Sequence, residues 1–561
     1  MKPTAGAITV VIGIAVVLTA CTPPQRTEGR ASGALSPDAA GPTRIVAAMM
    51  SNPPYLYTRL AGTGIGPGAP ALQQMLAVTL ADLDANGGLR PVLAESVPSI
   101  ENGLWRLFPD GRMETTWKIR SGARWHDNTP FTSDDVLFTA NLLQDPELTL
   151  GRIAGYAYVE RLEAPDPQTV VLTWKEPFIR ADSLFVGAPP LPKHLLEKEY
   201  ANSKATFHLL PYWTDGFVST GPYRLHEWAR DSHLILRAFD GYALGRAKID
   251  EIEVRLIPDE NAFIANILAG EILVSLGQSL SFEQGQQLRD RWRGGKVEIY
   301  VQTEMKMWPQ FVNPSPAIVT DVRFRKALMY ALNRQEMADV IMDGASPVAH
   351  SVVQPTVPEY AEVQDAAVKY EYDPRRAVQM IEGLGYSRGA DGMFRDAGNQ
   401  ALTVNIQTTP EDHNLKPMYA VADYWNQIGV ASDLDPIPPP RQRDVVYRAN
   451  FPTFNLQAGA GGIENLQNLR SIDARLPENN YSGRNYARYM NAEFDALLHR
   501  YLTTIPRAPR VDALRQVVQH MSDQLNIMPL YYRASPTMVS NRLQNVGPDP
   551  TWNAQDWKLV G

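Results

Sequence analysis

Residues 116–136 read TWKIRSGARWHDNTPFTSDDV, and the organisation of the chain is decided there. The stretch opens inside a predicted strand over residues 114–119. Trp125-His126-Asp127-Asn128, followed by Thr129-Pro130-Phe131, is a turn that leads into a helix. Asn128 tolerates the left-handed conformation that such a turn requires. Thr132 and Asp135 form a capping box ahead of residues 136–143, with Asp in place of the usual Glu or Gln. His126, beside Asp127, looks catalytic in isolation. The simpler reading is that it hydrogen-bonds locally and braces the turn.

Outward from this stretch, the chain mixes strands and helices without an alternating repeat. Residues 43–50 (TRIVAAMM) read as a buried first strand, and residues 169–174 as another. In residues 250–257, Ile252, Val254 and Leu256 alternate with Glu251, Glu253 and Arg255, and Pro258 ends the run. Asp321 caps a helix whose Phe324, Ala327, Leu328, Ala331 and Leu332 share one face. Arg323 and Arg325 on that helix read as a solvated or salt-bridged surface. Asp373-Pro374 sets a cap and a first-turn proline before Ala377, Met380, Ile381 and Leu384, with Gly385 as the stop. Asn491 starts a helix that turns Phe494, Leu497, Leu498 and Tyr501 inward, and residues 511–525 form the last long helix.

The N-terminal residues are not expected to be part of the fold. After Lys2, residues 5–18 are an almost unbroken apolar run, shorter than the roughly 20 residues of a spanning helix. Such a run fits the hydrophobic region of a secretory signal peptide. It is followed by Leu18-Thr19-Ala20-Cys21, which resembles the bacterial lipobox; the resemblance implies cleavage before Cys21 and a lipid on its thiol. Cys21 is the sole cysteine of the 561 residues, so no internal disulfide can form. Residues 22–42, rich in Pro, Gly, Ser and Ala, read as a flexible tether.

The body from residue 43 onward is too long for one core, because chains divide beyond about 250–300 residues. Net charge is −8, without blocks of like charge, which argues against a nucleic-acid partner and against electrostatic membrane binding. A catalytic constellation cannot be assembled. The 9 histidines fall in no His-x-x-x-His or His-Glu-x-x-His pattern, so a helical zinc site is unsupported. There is no nucleophile elbow and no phosphate-binding loop. The 61 carboxylates include no pair fixed by spacing.

Five segments, in order, carry a resemblance. The block 116–136 is similar to the signature of the family 5 extracellular solute-binding proteins, the peptide, dipeptide and nickel receptors of ABC importers. Ser219-Thr220-Gly221-Pro222-Tyr223-Arg224-Leu225 resembles that family's Gly-Pro-Tyr segment. Residues 322–334 (VRFRKALMYALNR) resemble a helix of its second lobe, and Tyr372-Asp373-Pro374 with Gly385-Tyr386 its Asp-Pro helix and stop. Asn491 to Leu498 and Pro529-Leu530-Tyr531-Tyr532 resemble its closing helices and return strand. Asn128 departs from the glycine usual there.

The resemblance implies an α/β, two-lobed periplasmic-binding-protein-like fold of type II, cluster C-like, with an extra small α/β subdomain in the first lobe. Two strands, near residues 300–312 and 527–539, are expected to cross between the lobes. The expected division is a signal peptide over 1–20, a tether over 21–42, and a lobe-one core from 43–76, 217–305 and 527–561. The inserted subdomain is 77–216 and lobe two is 306–526. The implied function is capture of a small solute, by default a peptide, through hinge closure and delivery to an ABC-type permease. A sugar, an opine-like compound or a metal chelate stays open as the ligand, with a secreted hydrolase as a distant alternative. No cofactor, metal site or catalytic residue is assigned, and a monomer is expected.

Peptide receptors of the family often carry a Trp and an Asp in lobe two, the Asp pairing the peptide's amino group. The corresponding stretch here, residues 454–465 (FNLQAGAGGIEN), has neither, and Glu464 is the candidate substitute. The candidate ligand contacts are Tyr55 and Tyr57 after the first strand, Trp308 and Gln310 on the first crossing strand, and Gln457 and Glu464 in the lobe-two loop. Exposed aromatics suit ligand stacking. Lipidation at Cys21 predicts that Cys21→Ser moves the protein from membranes to the soluble fraction; unchanged membrane retention would contradict the lipobox reading.

Overall fold

The computed structural model describes residues 42–60, 66–84, 87–148, 150–277, 279–459, 462–547 and 551–560; the side chains of residues 301–303 and of Glu464 are not described. The expected signal peptide, nearly all of the tether, and Cys21 lie outside these residues. Among the described residues, no helix is long and apolar enough to cross a membrane.

One ten-stranded mixed sheet runs through the body. The buried Arg44–Met49 strand pairs in parallel with Glu251–Leu256 on one side and Val274–Ser275 on the other. Glu251–Leu256 continues, antiparallel, to His233–Ala238 and then Tyr223–Ala229. The other half holds Phe454–Gly459, Thr403–Thr408 and, at its edge, Ala431–Pro436. Two long strands join the halves, Gly295–Pro309 and Met528–Ser540, antiparallel from Gly295↔Ser540 to Met307↔Met528. Met528–Ser540 also pairs with Val274–Ser275 of the first half. Gly295–Pro309 also pairs with Phe454–Gly459 of the second. The first crossing strand begins and ends earlier than residues 300–312. Its ladder shifts register between Val301 and Thr303 and between Met305 and Lys306, the irregularities that bend and twist a strand.

Helices start where their caps are. Asp321 accepts from Arg323 N, Asp373 from Arg376 N and Asn491 from Phe494 N, at 2.8 to 2.9 Å. The Pro374–Glu382 helix closes at Gly383, before the expected Gly385 stop; Gly385 takes a φ of 93° in the turn beyond. The last long helix, Arg507–Gln524, starts about a turn earlier than read from the sequence. Arg323 pairs with Asp321 on the surface. Arg325 corrects the expectation of a solvated face: it is 1% exposed and donates to Val319 O and Gln524 O at 2.7 and 2.6 Å. It thereby satisfies a carbonyl at the end of Arg507–Gln524, one of those that a helix terminus leaves open.

A separate four-stranded antiparallel sheet, ordered Trp105–Leu107, Met113–Lys118, Thr169–Trp174 and Val159–Asp166, packs on helix Ser133–Gln144. This is the inserted α/β layer, and the 116–136 stretch ties it together. Trp125 is fully buried, and its indole N–H donates to Asp135 Oδ2 at 3.2 Å. Asp135 also receives Thr132 N at 3.0 Å, completing the capping box. Asn128 sits at φ 71°, the left-handed conformation expected of it.

His126 is a brace, but not a local one. Its Nδ1 accepts from Ser219 N at 3.2 Å, which places the ring proton on Nε2, where Gly221 O accepts at 3.1 Å. Two segments that resemblance paired only in order along the chain, 125–128 and 219–223, are therefore clasped in space. Burial pushes the His126 pKa down to about 4, so the ring stays neutral near pH 7. Gly221 is required on the far side: a Cβ there would stand 2.3 Å from the carbonyl carbon of Leu76.

The apolar core does not stop at the edge of the inserted layer. Trp117, Trp174 and Phe178 share one continuous cluster with Phe494, Leu498, Val517 and Val518 of the closing helices. Ile179 N donates to Leu502 O across the same seam at 2.8 Å. The inserted layer therefore rests on helices Ala492–Thr503 and Arg507–Gln524.

Candidate functional site: the cleft at the first crossing strand

Glu304, Lys306 and Trp308 lie on one face of the first crossing strand, because strand side chains alternate. The neighbouring Phe454–Gly459 strand sets Gly459 opposite Glu304, Gln457 opposite Lys306 and Asn455 opposite Trp308. Glu304 and Lys306 form an ion pair of 2.6 Å while only 0% and 3% exposed. The second carboxylate oxygen of Glu304 has no hydrogen-bond partner among the described residues. Gly459 leaves room for the lysine: a Cβ at 459 would come within 3.3 Å of Lys306 Cε.

From the ion pair the face continues into aromatics. Lys306 Nζ lies 5.2 Å from the centre of the Trp308 ring, a cation–π distance. Trp308 in turn meets Tyr486 at 5.4 Å between ring centres, and its own indole N–H has no hydrogen-bond partner among the described residues. The Arg475 guanidinium lies 3.9 Å over the Tyr486 ring and donates from Nε to Gly483 O at 2.9 Å. Burial alone would raise the Tyr486 pKa. The cations of Arg475, Arg484, Arg448 and Lys306 outweigh it and hold the phenol below its usual value.

A cavity of about 160 Å³ opens at Arg484, two residues before Tyr486 in the chain. Arg59, Arg152, Arg180 and Phe178 line it from one side of the molecule, and Asn465, Asn468 and Arg484 from the other. A larger cavity, about 660 Å³, lies on the inserted layer between Glu95, Lys118, Arg120, Arg124 and Gln168. All its lining residues belong to that layer and the segments beside it, so motion between the two halves of the large sheet cannot close it. The smaller cavity is lined both by the inserted layer and by residues 465–484, far apart in the chain, which makes it the better candidate.

The residues proposed from the sequence are dispersed. Trp308 and Gln457 are brought together on adjacent strands, with Gln457 half-buried opposite Lys306. Gln310 is fully buried with its amide engaged: Nε2 donates to Ala449 O and Phe451 O, and Oε1 accepts from Val312 N and Arg488 Nε. Tyr57 is buried in the core around the Arg44–Met49 strand, its hydroxyl donating to Pro189 O at 3.2 Å and its ring 5.7 Å from Trp213. Tyr55 packs partly buried against that same core. The side chain of Glu464 is not described, although the backbone around it forms a short 3-10 helix, Ile463–Leu469. Sequence reading missed Glu304, Lys306, Arg475, Arg484 and Tyr486. The alternation Glu304-x-Lys306-x-Trp308 was the one available signal.

No group of three His, Cys, Asp or Glu among the described residues could hold a metal ion. The model of the bacterial extracellular solute-binding proteins, family 5, matches residues 88–477. The chain belongs to that family. As a family 5 protein it is 22% identical, over 99% of its own length and 98% of the relative's, to the oligopeptide-binding protein AppA of Bacillus subtilis. It is 24% identical to heme-binding protein A of Haemophilus influenzae over 82% of each chain. The solved structure of an oligopeptide-binding protein from Thermus thermophilus in complex with a pentapeptide superposes with a TM-score of 0.77. That match has 21% identity and covers 93% of this chain and 97% of the other. The two-lobed fold is thereby established for this family 5 chain.

Removing one member of a buried ion pair strands the other charge. Glu304→Gln is predicted to cost about 3–5 kcal/mol of stability, read as a drop in the urea midpoint. A cost under about 1 kcal/mol would show that Lys306 does not depend on Glu304.

Proposed function

We propose that this protein is the extracytoplasmic receptor of an ABC-type importer, capturing a short peptide between its lobes and presenting it to the permease. The observation that supports this reading is the cavity lined by the inserted layer on one side and by residues 465–484 on the other, in a fold whose two halves are joined by two long strands. A ligand there touches both lobes at once, so binding favours the arrangement in which they approach. Peptide is the preferred ligand class because relatives that cover 99% and 77% of the chain are named for oligopeptide and dipeptide binding. The absence of an assembled catalytic group in the sequence supports binding without turnover.

In this reading lobe one comprises residues 43–76, 217–305 and 527–561, with 77–216 inserted, and lobe two comprises 306–526. Trp308 and Gln457 contact the ligand, with Tyr55 and Glu464 at the margin. Tyr57 and Gln310 act indirectly, by fixing the backbone behind the cleft. Cys21 carries the lipid that holds the receptor at the outer face of the cell membrane or in the periplasm, and the protein works as a monomer.

Protein purified without refolding is predicted to carry peptide into native mass spectrometry, and to bind a random peptide pool by calorimetry once stripped. Absence of both the extra mass and any heat would overturn the peptide reading.

A further inference from the structure

The cleft is cationic beyond what the fold requires. Arg59, Arg152 and Arg180 reach one small cavity from the first half of the molecule, and Arg484 reaches it from the other. Among the described residues, no carboxylate lines that cavity. Arg59 is held in place by carbonyls alone, donating to Gly187 O and Gly151 O at 2.9 and 3.0 Å. A Cβ built on Gly151 would stand 3.7 Å from Arg484 Nη2 and 3.8 Å from Arg59 Nη1. The two guanidiniums therefore lie within 4 Å of the same point, within reach of one bridging group.

Two of the cations have acids. Glu304 takes Lys306, and Asp182 acts on Arg180. Among the described residues Arg59, Arg152, Arg475 and Arg484 form no ion pair. Arg475 is the telling one. It is 5% exposed, so water does not solvate it, and its Nη1 has no hydrogen-bond partner among the described residues. A buried guanidinium left this way is costly unless something anionic completes it. Tyr486 joins the two groups, because both Arg475 and Arg484 depress its pKa.

We propose that the ligand is an acidic peptide, one carboxylate bridging Arg59 and Arg484 across the cleft and a second reaching the Arg475–Tyr486 side. Guanidinium and carboxylate match as paired donors and acceptors, which gives direction as well as strength. The bridge also has a mechanical consequence. Without an anion, Arg59 and Arg484 repel and hold the lobes apart; with one, the repulsion becomes an attraction that favours closure. This rests on the peptide reading above.

The test is calorimetry on the whole protein with three matched pentapeptides, Ala-Glu-Ala-Glu-Ala, Ala-Gln-Ala-Gln-Ala and Ala-Lys-Ala-Lys-Ala, and with citrate as a non-peptide anion. The Glu peptide is expected to bind about tenfold or more tighter than the Gln peptide, with the Lys peptide weakest. In Arg484→Gln, whose side chain is exposed and whose replacement does not threaten the core, the ratio of Glu-peptide to Gln-peptide affinity should fall about tenfold. Equal or tighter binding of the Gln or Lys peptide overturns the proposal while leaving the peptide reading intact. So does a ratio unchanged by Arg484→Gln. Binding of citrate with no pentapeptide bound keeps the anion site and overturns the peptide reading. No binding of any of the four overturns both.

Discussion

The structure depends on two strands that belong to both lobes. Gly295–Pro309 and Met528–Ser540 hydrogen-bond to each other along almost their whole length, and each also pairs with a strand of one half. A sheet cannot be cut there without leaving rows of unpaired backbone groups. The lobes are therefore held in one sheet, and motion between them has to be taken up as twist and bend in this pair. The register shifts at Val301/Thr303 and Met305/Lys306, the first with its extra residue on the first crossing strand and the second with Leu530 extra on the other, put that freedom directly beside Glu304, Lys306 and Trp308. The same segment thus positions the binding face and bounds the motion that encloses it.

Around this joint the polar groups differ in how far they are satisfied. Some that hold the scaffold are satisfied internally. His126 uses both ring nitrogens on the 219–221 segment, and Gln310 uses both ends of its amide on carbonyls, an N–H and a guanidinium. Buried polar groups in a settled core are hydrogen-bonded in this way. Others are not fully satisfied: Glu304 Oε2, Trp308 Nε1 and Arg475 Nη1, like Trp117 Nε1 and Ser219 Oγ elsewhere, are buried without a hydrogen-bond partner among the described residues. The apolar seam between the inserted layer and the closing helices sets a further constraint, since burying Trp117, Phe178, Phe494 and Val517 together favours contact between the halves.

Much of the fold was legible because its signals are local. Asp321, Asp373 and Asn491 cap helices at the positions their residue types indicate, and the alternation in 250–257 matches the Glu251–Leu256 strand. The 116–136 stretch carried its own turn, its left-handed Asn128 and its capping box. The part of that stretch that escaped sequence reading was long-range: nothing in Trp125-His126-Asp127 says that the histidine clasps Gly221. The cleft was less legible for the same reason. Its cations come from residues 59, 152, 180, 475 and 484, each ordinary in its own segment, and only the folded chain brings them together. Tyr57 and Gln310 were plausible by position, beside a proline turn and on a crossing strand. Burial instead turns their polar atoms toward backbone carbonyls.

The central claim is that ligand draws two lobes together about a shared pair of strands. Small-angle X-ray scattering of the purified protein, stripped and then saturated with the ligand recovered from it, tests this most directly. The account predicts a smaller radius of gyration in the saturated protein, and a saturated scattering curve matching the structure described here. An unchanged radius of gyration at a ligand concentration that calorimetry shows to be saturating would contradict it.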